Sequence, residues 1–176
     1  PIASSQLSCV SQRFDNLAEF FSLSDELDAQ HEFCVSWVDC LARGSSAGRG
    51  IYMAGDFKDS GTLNVAARRK LSVPFAPPVS LINNLSVRAF NSLYWRRAPA
   101  QRKLIESNYE SFFYPLDAIR HWNRIYGRAG FQQYQALIPQ AAAEHGIAAL
   151  LKEISDAGIG SFLAVLKRCG DISSPG

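Results

Sequence analysis

Charge is scarce in this sequence. Charged residues make up 19% of the 176 positions, and the balance of 18 Lys and Arg against 16 Asp and Glu leaves a formal net charge of +2. A typical globular chain carries about 25% charged residues. So small a surplus argues against a protein whose main partner is a nucleic-acid backbone, because phosphate neutralisation needs many basic groups. Long apolar runs are also missing. None reaches the roughly 18–20 residues of a membrane helix, and no signal-peptide pattern is present. Histidine is limited to His31, His121 and His145, and the four cysteines (Cys9, Cys34, Cys40, Cys169) form no C-x-x-C pair. Zinc sites are usually built on paired ligands at short spacing, so no metal is expected. Reduced, mostly buried thiols and a cytoplasmic location fit this usage, with peripheral contact to an inner membrane as the other placing. The strings G-x-x-x-x-G-K, G-x-G-x-x-G, G-x-S-x-G and H-E-x-x-H are all absent.

What remains is a chain that can bury a core without staples, since a domain of this size hides roughly 70% of its unfolded surface. Hydrophobic residues make up 47%, which excludes disorder. The sequence starts at Pro1 rather than Met and stops at Ser174-Pro175-Gly176, just beyond a strand-like segment. Residues 1–176 are therefore expected to be one piece of a longer protein.

Periodicity gives the element order. Ser8 to Arg13 reads as a short strand. Asn16 is a helix N-cap with Glu19 as its capping-box partner, and Leu17, Phe20, Phe21 and Leu27 follow at helical spacing. Glu32 to Cys40 alternates with Phe33, Val35 and Trp37 on one side, as a strand does. Gly50 to Phe57 is the next strand, expected to pair with it antiparallel across the Ala42–Gly50 loop. Asp59 to Ser80 is long and irregular. Leu81 to Trp95 reads as a helix with Leu81, Leu85, Phe90 and Leu93 on its apolar stripe. Lys103 to Phe113 is expected to be extended. Pro115 opens a helix carrying Leu116, Ile119, Trp122 and Tyr126 on one face. Phe131 to Ile138 and Phe162 to Lys167 read as strands. Between them Ala141 to Ala157 is a helix closed by Gly158. The expected class is α+β: an antiparallel sheet covered by helices, with ferredoxin-like βαβ elements.

Few residues announce chemistry. The loop Gly44-Ser45-Ser46-Ala47-Gly48-Arg49-Gly50 resembles a phosphate loop in composition. It joins two strands instead of opening a helix, so a flexible hairpin loop is the simpler reading. Arg68-Arg69-Lys70 and Arg96-Arg97 are either solvated surface or contacts for an anion. Lys167 ends an apolar row formed with Leu163 and Val165. It is either a lysine snorkelling from a strand end or one held in a dry pocket, able to exchange a proton with a substrate hydroxyl. Gln132, Tyr134 and Ala136 share one side of their segment and either line a site or face water. Phe112-Phe113-Tyr114 and Trp122 form an aromatic patch that serves as core or as a ligand wall.

Three strings are more specific together: Phe112 to Gly127 (FFYPLDAIRHWNRIYG), Gly130 to Pro139 (GFQQYQALIP) and Ser161 to Gly170 (SFLAVLKRCG). With Arg13 to Asp39 and Val87 to Trp95, they resemble the FAD-linked oxidases of the vanillyl-alcohol-oxidase type over nearly the whole chain. The resemblance implies the substrate-binding cap domain of such an enzyme, with the FAD-binding domain absent from this chain and the last part of the cap missing. It implies FAD in the full-length protein but not in this piece, which would be inactive alone. The implied partners are the FAD-binding domain of the same parent chain and a sugar or polyol substrate, whose secondary alcohol loses a hydride to the flavin. Lys167 would stand beside the reacting carbinol. Tyr134 and Gln135 would be pocket residues, Ala136 would take a place where some members carry cysteine, and Phe113 and Trp122 would shape the substrate mouth. A stand-alone ferredoxin-like module that binds a ligand or regulates without catalysis is the other reading.

Overall fold

A computed structural model describes residues 2–63, 71–75 and 82–170. The elements are β1 (Gln6–Phe14), α1 (Leu17–Leu27), β2 (Phe33–Val38), β3 (Gly50–Phe57), β4 (Leu71–Ser72), α2 (Asn84–Arg97), β5 (Lys103–Asn108), α3 (Tyr109–Phe113), β6 (Ile119–Arg120), α4 (Ala143–Ala157) and β7 (Val165–Leu166). Short 3-10 turns at Gly44–Ser46, Pro115–Ala118, Trp122–Ala129 and Gln140–Ala142 connect them. The run Arg68-Arg69-Lys70, the pair Pro77-Pro78 and Leu81 lie outside the described residues.

Five strands make one antiparallel sheet in the order β5-β1-β3-β2-β7, while β4 and β6 pair parallel in a small ribbon. Leaving β7 aside, β1-α1-β2-β3-α2-β5 threads the sheet as a ferredoxin-like βαββαβ unit does. The α+β expectation holds.

Local chemistry explains the start of the unit. Asn16 Oδ1 accepts from Glu19 N at 3.0 Å, and Glu19 Oε2 accepts from Asp15 N at 2.7 Å. Both ends of the capping exchange are present, though the returning bond lands one residue before the cap. Phe20, Leu23 and Leu27 of α1 then pack on Phe14, Val38, Tyr52 and Ala54 of the sheet. Ile147 and Leu151 of α4 close over the same cluster. Gly146 of α4 has a packing reason. A Cβ there would stand 3.1 Å from Ile138 Cγ2, so the glycine lets the preceding segment lie close.

Helix α2 does not use the stripe read from the sequence. Leu85 is 79% exposed and Phe90 and Leu93 are also exposed, whereas Val87 and Asn91 are buried. Val87 packs on Cys40 and Leu41, and Asn91 hydrogen-bonds into a polar network described below. The helix thus crosses the end of the sheet where β2 stops and β3 begins, and its inner face is half polar.

Two further expectations are corrected. The helix expected from Pro115 to Tyr126 is broken. A 3-10 turn, the bridge β6 and a second 3-10 stretch replace it, with His121 left-handed at φ 59° between them. Residues 131–139 form no strand, because no neighbouring strand pairs with them among the described residues. β7 is only two residues long, paired as Ser36↔Leu166 and Trp37↔Val165.

Candidate functional site

Lys167 follows directly on the two-residue strand β7. Leu166 before it packs with the α1-facing core, and Arg168 after it reaches back to α1, 2.6 Å from Asp25 Oδ1. Strand alternation would turn Lys167 to the side of Val165 and Trp37, and the residue also borders a groove lined by Phe20, Ser24, Asp28, Tyr52 and Arg168. Lys167 is exposed and makes no hydrogen bond or ion pair among the described residues. Val165 beside it is 51% exposed. A dry ammonium at this place requires a further surface laid over that face.

The aromatic residues fall into two groups rather than one patch. Phe113, 37% exposed, meets Phe33 at 5.0 Å and Phe57 at 6.3 Å, edge-on or tilted, and so packs on the sheet at the β2 start. Trp122 belongs elsewhere. It lies 6.3 Å from Tyr126 and 5.2 Å from Phe131. From there the rings continue through Phe162, Phe90 and Tyr94 to Trp37 of β2, each step under 6 Å. Such contacts are worth about 0.5–1.5 kcal/mol beyond burial. The ladder fastens the irregular segment 122–131 to α2 and the sheet. Burial raises the Tyr94 and Tyr126 hydroxyl pKa values above the ordinary range. Both phenols stay protonated and act as neutral hydroxyls.

Tyr134, 78% exposed, leads an unpaired extended segment. Gln135 and Ala136 follow it and are exposed as well. The structure therefore brings Lys167 and Trp37 to neighbouring strands at one edge of the sheet. It leaves Tyr134, Gln135 and Ala136 exposed.

Sequence reasoning missed a polar centre at the sheet end. Asp39, 3% exposed, accepts from Arg49 Nε and Nη2 on one oxygen, at 3.0 and 2.8 Å. Its other oxygen accepts from Asn91 Nδ2 at 2.9 Å and Leu41 N at 3.2 Å. Arg49 also donates to Ser92 Oγ at 3.0 Å. Trp95 lies under both Arg13 and Arg49, 4.4 and 4.9 Å from the ring centre. The available signal was Asn91 spaced four residues after Val87, on the side of α2 that turned out to be buried.

Burial raises the thiols of Cys9 and Cys34 to about 11, and burial also pushes the Cys40 thiol up. All the cysteines are free. No helix among the described residues is long and apolar enough to cross a membrane, and no cluster of three or more metal-ligating side chains occurs among them.

A cleft beside Asp39, lined mainly by arginines and serines, has a volume of about 200 Å³, too small by itself to hold a flavin. Pockets for drug-sized ligands run to roughly 300–1,000 Å³.

No family model matches the sequence. The chain is similar to decaprenylphosphoryl-β-D-ribose oxidase of Mycolicibacterium smegmatis, with 29% identity over 156 residues that take in 84% of this chain and 34% of that protein. It thus spans about a third of the length of the curated relative it matches.

Proposed function

We propose that this chain is the substrate-binding cap of an FAD-dependent oxidoreductase that oxidises a secondary alcohol of a sugar or polyol. The observation that carries the reading is the similarity to a ribose-derivative oxidase across 84% of the chain. The exposed edge of the sheet at β7, where Lys167 follows Val165 and Leu166 beside β2, supports it. In this reading another domain of the same protein would hold the flavin, whose chemistry would be to serve as hydride acceptor. This chain supplies the surface that closes over it.

In the covered site the Lys167 amine hydrogen-bonds the reacting hydroxyl and, in its neutral form, takes up the hydroxyl proton as the carbinol carbon loses its hydride. Covering is the essential step. An exposed ammonium is fully hydrated and keeps its proton, and it gives way to the neutral amine only when water is displaced. Phe113 and Trp122 form apolar walls at two borders of the face, and Tyr134, Gln135 and Ala136 close the mouth when the second domain is in place. Cytoplasmic placing, with or without peripheral membrane contact, belongs to the same proposal.

The test is Lys167→Ala in the full-length protein. The variant should retain bound FAD, seen in its visible absorbance, while substrate no longer bleaches that absorbance. Bleaching at the wild-type rate would remove Lys167 from this role. The βαββαβ sheet order also suits a stand-alone binding or regulatory module. A colourless full-length protein, with no flavin domain in its reading frame, would favour that reading instead.

A further inference from the structure

A cleft of about 200 Å³ opens between the β2–β3 loop and α2, lined by Arg43, Ser46, Arg49, Arg88 and Ser92 around Asp39. We propose that it binds a phosphate group, free or as a small phosphate monoester.

The charge balance favours an anion. Three guanidiniums line the cleft, against the Asp39 carboxylate in its lining and Asp156 beside Arg43. The Asp39 carboxylate is already saturated: Arg49 occupies one oxygen twice, and Asn91 and the Leu41 amide occupy the other. Arg43 bonds the Ser155 carbonyl and stands 3.6 Å from Asp156 Oδ1, a half-exposed pair. Arg88 is exposed on α2 and has no hydrogen bond or ion pair among the described residues. Positive charge is therefore in excess at the cleft, with one arginine held rigidly and one uncommitted.

Geometry favours phosphate over carboxylate. The donors come from separate elements: Arg43 and Ser46 from the loop, Arg49 from the residue before β3, Arg88 and Ser92 from successive turns of α2. A planar carboxylate is satisfied by a single bidentate guanidinium. A tetrahedral dianion uses donors arriving from several directions. The volume exceeds the roughly 30 Å³ share of one water and falls below that of a drug-sized pocket, which fits a phosphate with a few attached carbons.

The cleft is separate from the face assigned to Lys167. β7 runs antiparallel to β2 with Val165 level with Trp37, so Lys167 emerges level with Val35. Asp39 lies four residues further along, roughly 13 Å at the rise of a strand. The phosphate proposal therefore stands whether or not Lys167 has the role given above.

The experiment is a calorimetric titration of the full-length protein with inorganic phosphate and with ribose 5-phosphate, using ribose as control. Wild type should bind both phosphates saturably at this site and gain nothing from ribose. Arg88→Glu should weaken the binding at least tenfold with an unchanged thermal midpoint, and Arg88→Lys should fall between. Ser46→Asp, which places a negative charge on the opposite wall, should weaken it similarly. Higher affinity for ribose 5-phosphate would assign the ester, and equal affinity would assign the bare phosphate group. Absence of saturable binding to wild type, or equal affinities in wild type, Arg88→Glu and Ser46→Asp, would overturn the proposal.

Discussion

Asp39 and Arg49 hold the ends of β2 and β3 together by two hydrogen bonds to a single carboxylate oxygen, at 3.0 and 2.8 Å. The pair spans the loop and ties both strands to α2 through Asn91 and Ser92.

Asp39→Ala should therefore be strongly destabilising. It leaves Arg49, 18% exposed, facing no counter-charge and strips Asn91 Nδ2 of its carboxylate. Breaking one member of a buried pair costs about 3–5 kcal/mol. Urea unfolding of the variant should show this fall in stability. A change below about 1 kcal/mol would mean that the pair is open to water in solution.

Gly50→Ala tests the closeness of β3 to its neighbours. A Cβ at this position would stand 2.1 Å from the Trp37 carbonyl oxygen and 2.5 Å from Phe14 Cζ. Neither can retreat, because one is ladder backbone and the other is the centre of the core. Overpacking of this kind costs roughly 1–3 kcal/mol, and clashing backbone puts Gly50 at the upper end. Thermal melting should detect it, while Gly44→Ala, with no atom within 4 Å but φ +62°, should lose only the smaller cost of its left-handed backbone.

Phe162→Ala removes the ring that joins Phe90, at 5.8 Å, to Tyr126, also at 5.8 Å. The segment 122–131 then loses its bridge to α2. Proteolysis within that segment should speed up severalfold, while amide exchange in β1 and β3 stays slow. Uniform loss of protection across the sheet would show that the ladder is part of the global folding unit.

The buried thiols set an alkaline limit. Burial raises Cys9 and Cys34 from an ordinary 9.0 to about 11, and Tyr52 is raised further by burial and its bond to Asp28. The unfolded chain ionises first, near pH 9, and the folded thiols only near pH 11. The contribution of these groups is complete below pH 9 and is lost as pH rises toward 11. The urea midpoint should fall over that window, and Cys9→Ala should flatten the fall. In the same window iodoacetamide should modify exposed Cys169 well before Cys9.

Much of the β1-α1-β2-β3 half was legible because each signal there is local and points the same way. Asn16 and Glu19 cap α1, Phe33, Val35 and Trp37 alternate, and Gly50 to Phe57 was delimited to the residue. The other half defeated pattern reading for identifiable reasons. In α2 the buried position is Asn91, whose burial is stabilised by a carboxylate from 52 positions earlier, so hydrophobic spacing selected the wrong face. Around Trp122, a left-handed His121 interrupts a sequence whose apolar period is helical. Residues 131–138 alternate like a strand, yet pairing needs a neighbour, and periodicity cannot supply one. Lys167 was found at the end of its apolar row, but its exposure depends on what covers the face. The Asp39 cluster escaped notice because its members are scattered through the chain and resemble no motif.

The contact of Trp95 with the guanidiniums of Arg13 and Arg49 has an optical consequence. An indole beside two cations reports their movement in its fluorescence, and Arg49 also borders the arginine-lined cleft. Emission from this one ring should shift when an anion settles there, giving the molecule a built-in gauge of occupancy without any added dye.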